Sequence, residues 1–135
     1  MSVKCFVDSN IWLYAFMESR DNKFTLARQL IQRDGVCISI QVLNEVCRNL
    51  LRKANYSEDE LKETIQQFTQ HTQIHLLSVA DSLQASQLRQ DYALSYWDSL
   101  IVAAAQAEGC HILYSEDMQH QQRIDSLTII NPFNL

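Results

Sequence analysis

The sequence predicts an α/β domain of three layers, with helices on both faces of a mainly parallel, roughly five-stranded central sheet. Three observations predict it. Short apolar runs alternate with longer segments whose apolar residues recur every three or four positions. Only two glycines and one proline interrupt 135 residues, which favours long regular elements over the turn-rich strands of a sandwich. No repeat, linker or low-complexity tract divides the chain, so residues 1–135 are expected to form one domain. That length buries about two thirds of the extended surface.

Cys5-Phe6-Val7 ends a first β-type run, and the apolar run stops on Asp8. Asn10 is suited to cap the short helix that follows, read over 11–17. Residues 18–23 are polar and read as a loop. Phe24, Ala27, Leu30 and Ile31 have helical spacing, and Asp34-Gly35 stops that helix. A second strand spans 36–40, and Val42, Leu43, Val46, Leu50 and Leu51 mark the next helix. Ser57 with Glu60 is a capping box opening a helix with Leu61, Ile65 and Phe68 on its apolar stripe. A third strand is read at 74–77. Ser78 or Asp81 then caps a helix carrying Leu83, Ala85, Leu88 and Tyr92. The most apolar helix opens at 94–98 and runs through an alanine-rich stretch to Gly109, so it is expected to be the most buried. Strands at 111–114 and 127–130 close the sheet, with a polar connector at 118–124 read as one or two helical turns. Strands alternating with helices imply right-handed crossovers.

Hydrophobic residues make up 47% and charged residues 20% of the chain, a globular balance that excludes disorder. The formal charge is −5, whereas non-specific nucleic-acid binders are usually basic. Any nucleic-acid role must therefore come from local basic patches, a bound metal or a partner. Cys5, Cys37, Cys47 and Cys110 form no C-x-x-C pair and read as buried reduced thiols. No apolar stretch has the length of a signal h-region or a membrane span, so a cytoplasmic protein with no membrane partner is expected.

Four acids occupy equivalent places in this pattern. Asp8 follows the first strand, Glu45 lies early in the helix after the second, Asp98 in the first turn of the alanine-rich helix, and Asp117 after the fourth strand. In a parallel sheet these places share one edge, where ligands bind in open α/β folds. Two carboxylates about 5 Å apart repel by roughly 3 kcal/mol at an effective dielectric of 20. Mg²⁺ or Mn²⁺ offsets that repulsion, and hard oxygen ligands suit both ions. Such a site activates a water and orients a phosphodiester. Each acid also has a plainer role available: a strand end for Asp8, a solvated helix position for Glu45, half of a capping box with Ser95 for Asp98, and turn chemistry for Asp117.

These blocks, taken in order, resemble the PIN-domain family of metal-dependent nucleases, in particular the toxins of VapBC-type toxin–antitoxin pairs. Phe6-Val7-Asp8-Ser9-Asn10 is similar to the family's opening motif, with Ser9 where Thr is commoner, and Gln41-Val42-Leu43-Asn44-Glu45 to its Glu helix. The run from Leu94 to Ala103 is similar to the third acidic block, and Leu113 to Met118 to the fourth. Ile129 to Phe133 resembles a common ending of the subgroup. The resemblance implies that Asp8, Glu45, Asp98 and Asp117 are metal-binding catalytic acids, oriented by Asn10 and Ser115. It also implies endoribonuclease activity with Mg²⁺ or Mn²⁺, a homodimer and an antitoxin partner. A housekeeping RNA-processing nuclease and a non-catalytic RNA- or protein-binding module remain the alternatives.

Arg48 and Arg52 share a helix face with Glu45 and offer contacts to RNA phosphates, or form a solvated face in which Arg48 pairs with Glu45. Glu116, beside Asp117, is a substitute ligand only if its side chain turns towards the same pocket. Trp12, Tyr14, Tyr96 and Trp97 flank the acids, and packing in a core or dimer is favoured over base stacking. His71 and His75 lack an H-E-x-x-H context, which argues against zinc. A haloacid-dehalogenase phosphatase needs an acid where Asn10 stands, and a receiver domain needs a Lys after the last strand. No histidine or lysine pair is placed for metal-free ribonuclease chemistry, and no P-loop occurs.

Overall fold

The computed structural model describes residues 3–17 and 22–134, so most of the loop expected at 18–23 lies outside the described residues. The elements run β1 (Cys5–Val7), α1 (Ser9–Phe16), α2 (Lys23–Ile31), β2 (Val36–Ser39), α3 (Ile40–Lys53), α4 (Glu58–His71) and β3 (Gln73–His75). They continue with α5 (Val79–Asp91), α6 (Tyr96–Ala107), β4 (Ile112–Tyr114), β5 (Arg123–Ile124), β6 (Leu127–Ile130) and a 3₁₀ turn at Pro132–Asn134. Six strands form one sheet in the order β3-β2-β1-β4-β6-β5. All described pairings are parallel except β5 with β6. Helices α1 to α4 pack as one group, and α5 and α6 as another, with α6 against β2.

Strand β1 is wholly buried, as its uninterrupted apolar run requires. It lies between β2 and β4, so the chain moves outward on one side of β1 through β2 and β3 and returns on the other at β4. The strand order therefore reverses beside β1. That reversal opens a crevice at the strand carboxyl ends.

Each helix start at this edge has its own cap. Asp8, rather than Asn10, caps α1, accepting from the Ser9 amide at 2.7 Å, and Asn10 falls inside the first turn. Ser39 caps α3 and Ser95 caps α6. Ser57 and Glu60 form the expected capping box of α4, and Ser78 caps α5 with Asp81 completing the box. The alanine run of α6 is buried throughout Ala103, Ala104 and Ala105, where small side chains let the sheet approach. Gly109, at φ 72°, takes the left-handed conformation after that helix.

Several details differ from expectation. The connector at 118–124 contains no helical turn; Arg123–Ile124 forms the short strand β5, turned back onto β6 with Asp125 at φ 56°. The sheet thus has six strands rather than five. The third strand is Gln73–His75, and Leu76 is exposed beyond it. On α5 the buried positions are Asp81, Ala85 and Leu88, whereas Leu83 is exposed, because two positions before Ala85 lies on the opposite side of a helix. The four cysteines are free thiols, with Cys47 half-buried and the others buried.

Candidate functional site

The crevice beside β1 is floored by Asp8. Its carboxylate is buried, a costly place for a charge unless donors surround it. Ser115, at the end of β4, donates its hydroxyl to Asp8 Oδ2 at 2.8 Å, and the Ser9 amide donates to Oδ1 at 2.7 Å. Burial pushes the Asp8 carboxyl up to about 6; those two hydrogen bonds oppose the shift, and the charges of Glu45 and Asp98 add to it.

Glu45 reaches the crevice from α3. Its Oε2 accepts from the Ser9 hydroxyl at 2.7 Å, and its Oε1 from the Gln41 amide at 3.2 Å. No described ion pair joins it to Arg48. Asp98 stands in the first turn of α6, its amide bonded to Ser95 Oγ at 3.1 Å. Burial raises its carboxyl, a hydrogen bond from Ser95 opposes this, and the charges of Asp117 and Glu45 raise it further. Asp117 is exposed at the rim, its Oδ2 accepting from Asn10 Nδ2 at 3.1 Å. Asn10 Oδ1 in turn accepts from the Glu116 amide at 3.3 Å, clamping the loop after β4 onto α1.

Glu116 turns away from these acids. Its carboxylate takes the Tyr14 hydroxyl at 2.6 Å and the Lys23 ammonium at 2.7 Å. The favourable pairing fixes Glu116 on the outer side of α1 and leaves Asp117 as the acid of this loop that faces the crevice.

The four acids therefore stand on one edge of the sheet, and their charges act on one another. Among the described residues, however, no group of three or more His, Cys, Asp or Glu side chains is arranged to hold a metal ion. Asp8, Glu45 and Asp117 are each held by their own hydrogen-bond donor. The donor chemistry fits a hard divalent cation: carboxylate oxygens alone, with burial first and the neighbouring acids in smaller part raising both Asp8 and Asp98. Asp8, Glu45, Asp98 and Asp117 are the residues that would hold it.

Two participants were not singled out from the sequence. Ser9 ties the end of β1 to Glu45, and Gln41 ties Glu45 to the Trp97 carbonyl, its Nε2 lying 3.5 Å from that oxygen. The signals were present: Ser9 is adjacent to Asp8, and Gln41 is one helical turn before Glu45. Arg48 and Arg52 are exposed further along α3. Trp12 is in the core, edge-on to Phe68 at 4.7 Å, and Tyr14 is partly buried against Phe133. Tyr96 and Trp97 are 54% and 63% exposed, so of the two expected forms of packing that pair does not take the one in the core. His75 lies between two carboxylates, 2.7 Å from Asp81 and 3.0 Å from Glu108, and is a structural tie rather than part of the crevice. No helix among the described residues is long and apolar enough to cross a membrane.

The family model of the PIN domain matches residues 5–127 of the chain. No curated protein matches it in sequence. Among solved structures, a toxin–antitoxin complex from Klebsiella pneumoniae superposes with a TM-score of 0.74 at 21% identity, covering 96% of this chain and 98% of that one. The sarcin–ricin-loop-cleaving toxin VapC20 of Mycobacterium tuberculosis superposes with a TM-score of 0.67 at 18% identity, covering 84% and 90%. VapBC2 from Rickettsia felis, bound to a DNA fragment of its promoter, gives 0.67 at 20% identity, covering 94% and 97%. At these identities the likeness is one of fold.

Proposed function

Because the chain belongs to the PIN-domain family, we propose that it is a metal-dependent endoribonuclease, and the toxin of a toxin–antitoxin pair. The observation that carries the reading is the set of four acids on one edge, with Asp8 and Asp98 raised by burial and by their acidic neighbours. An all-carboxylate crevice repels a phosphodiester, so a cation belongs to the chemistry. When bound, Mg²⁺ or Mn²⁺ supplies a Lewis acid for the phosphodiester and makes a water more acidic.

The chain's own residues have distinct tasks. Asp8, Asp98 and Asp117 would hold the cation. Ser115 and the Ser9 amide fix Asp8, and Asn10 fixes Asp117. Glu45, positioned by the Ser9 hydroxyl and the Gln41 amide, is a further ligand or accepts the proton of the attacking water. That water's oxygen bonds to phosphorus as the ribose–oxygen bond to phosphorus breaks, and the departing oxygen takes a proton. Arg48 and Arg52, exposed beyond Glu45 on α3, hold flanking phosphates.

The toxin role is supported by the fold shared with the Klebsiella and Rickettsia toxin–antitoxin complexes. An antitoxin and a second copy of the chain are the protein partners in this reading, and the cytoplasm the compartment. Induced expression in a bacterium tests it: growth arrests with the wild type, continues with Asp8→Ala at equal protein level, and is restored by an antitoxin encoded next to the gene. Unimpeded growth with intact RNA would leave a housekeeping nuclease or a binding module.

A further inference from the structure

Trp97 and Tyr96 project into solvent at the start of α6, directly before Asp98. They are fixed there rather than loose. Their rings meet edge to face at 5.2 Å, and the Arg89 guanidinium lies 4.6 Å from the Tyr96 ring while donating to Ser99 Oγ at 2.7 Å. Trp97 forms one wall of an open groove of about 450 Å³ whose other walls are Ile40, Gln41, Asn44, Glu45 and Leu77. One acid of the crevice, Glu45, therefore also lines this groove. Gln41 Oε1 is buried with no hydrogen-bond partner, an acceptor that the fold itself leaves unused. Asn44 is an exposed amide, and Arg48 follows it by one turn of α3.

We infer that this groove takes an unpaired RNA base next to the scissile phosphate, stacked on Trp97. The inference rests on the nuclease reading and adds to it the residues that select sequence. A flat aromatic wall stacks any base, and the exposed Asn44 amide offers hydrogen bonds to its edge. Arg48 meets the following phosphate: Trp97 of α6 faces α3 across the groove, and Asn44 and Arg48 follow one another along α3, so a stacking wall, an amide and a cation stand in the order in which a nucleotide presents base and phosphate. A second copy of this chain is the competing occupant of an exposed tryptophan, and it has no need of that order.

The full chain is titrated with unstructured octaribonucleotides, all-U and all-A, in Ca²⁺ to follow binding and in Mg²⁺ to follow cleavage. The chain has two tryptophans, and Trp12 is in the core, so quenching of emission reports Trp97. Expected are quenching on binding, an affinity about tenfold or more weaker for Trp97→Ala, and affinity within about threefold of wild type for Trp97→Phe, which keeps a stacking ring. The loss for Trp97→Ala falls mainly on KM rather than kcat. Cleavage by wild type with Trp97→Ala unchanged in affinity and KM overturns the base groove and leaves the nuclease reading standing. Absence of both binding and cleavage by wild type, under every condition, overturns the nuclease reading as well. A wild-type dimer that Trp97→Ala splits without change in RNA affinity assigns the groove to a second copy and overturns the inference.

Discussion

The Ser9 hydroxyl donates to Glu45 Oε2 at 2.7 Å across 36 positions of sequence. The contact joins the end of the central strand to the helix after its neighbour, and it sets where one acid of the crevice points. Ser9 also gives its amide to Asp8 at 2.7 Å, so a single residue orients two carboxylates that repel each other. Removing the hydroxyl leaves the Asp8 contact intact and frees one oxygen of Glu45. Ser9→Ala is therefore expected to lower RNA cleavage by about 10- to 100-fold, the usual effect of deleting a residue that orients a ligand. Its stability should fall by only about 1 kcal/mol. Cleavage rates and urea unfolding on the same preparation check both halves.

Asp8 makes the metal-free protein sensitive to mild acid in an unusual direction. Its folded value near 6 lies above the unfolded value of about 3.9. The folded state therefore binds that proton more tightly than the unfolded chain. The stability it contributes is present below about pH 4 and is lost as pH rises through 6, a change of about 2–3 kcal/mol. Asp8→Asn should remove this dependence and stabilise the protein at pH 7 in EDTA. Unfolding curves at pH 4.5, 6 and 7.5 for both proteins measure it.

His75 behaves with the same sign in a higher window. Burial lowers its value, but the hydrogen bonds and charges of Asp81 and Glu108 outweigh burial and raise it. Its stabilising contribution is complete below the unfolded value of about 6.5 and disappears as pH rises through the folded one. Thermal unfolding at pH 6 and pH 8.5 should show wild type losing more stability than His75→Gln. Equal losses would remove His75 from the tie between β3, α5 and α6.

Arg48 and Arg52 are expected to act on RNA phosphates rather than on bases. Replacing both by Ala should weaken binding of all sequences alike. The slope of log K against log salt should become shallower by about 1.4, or about 0.7 per lost phosphate contact on a single strand. Anisotropy titrations at several salt concentrations read the slope directly.

Much of this arrangement was legible in the sequence for physical reasons. A fully buried strand such as β1 leaves an unbroken apolar run, and helices with one buried face leave periodic ones. Asp8, Glu45, Asp98 and Asp117 could be placed on one edge because strand ends and following helix starts share it. Strand β5 could not be seen: it has two residues, and its turn uses Asp125-Ser126 without the glycine that marks tight hairpins. Leu83 misled because hydrophobicity alone does not fix which side of α5 faces inward. The hydrogen bond from Ser9 to Glu45 was hidden because it spans 36 positions and depends on tertiary distance, whereas the four-residue spacing from Gln41 to Glu45 on one helix was open to reading. Asn10 and Ser115 were expected to orient acids and do so at Asp117 and Asp8, whereas the Ser9 contact with Glu45 was not foreseen.

The central claim is a cation-dependent cleavage of RNA by this edge of acids. Its most direct test is cleavage of unstructured RNA by the full chain, with Mg²⁺ or Mn²⁺ and with EDTA, using wild type beside Asp98→Asn. The account expects cleavage that requires the ion, vanishes in EDTA and is lost in the folded mutant. Cleavage that persists in EDTA or in Asp98→Asn, or a wild type that neither cuts RNA nor binds either ion by calorimetry, would contradict it.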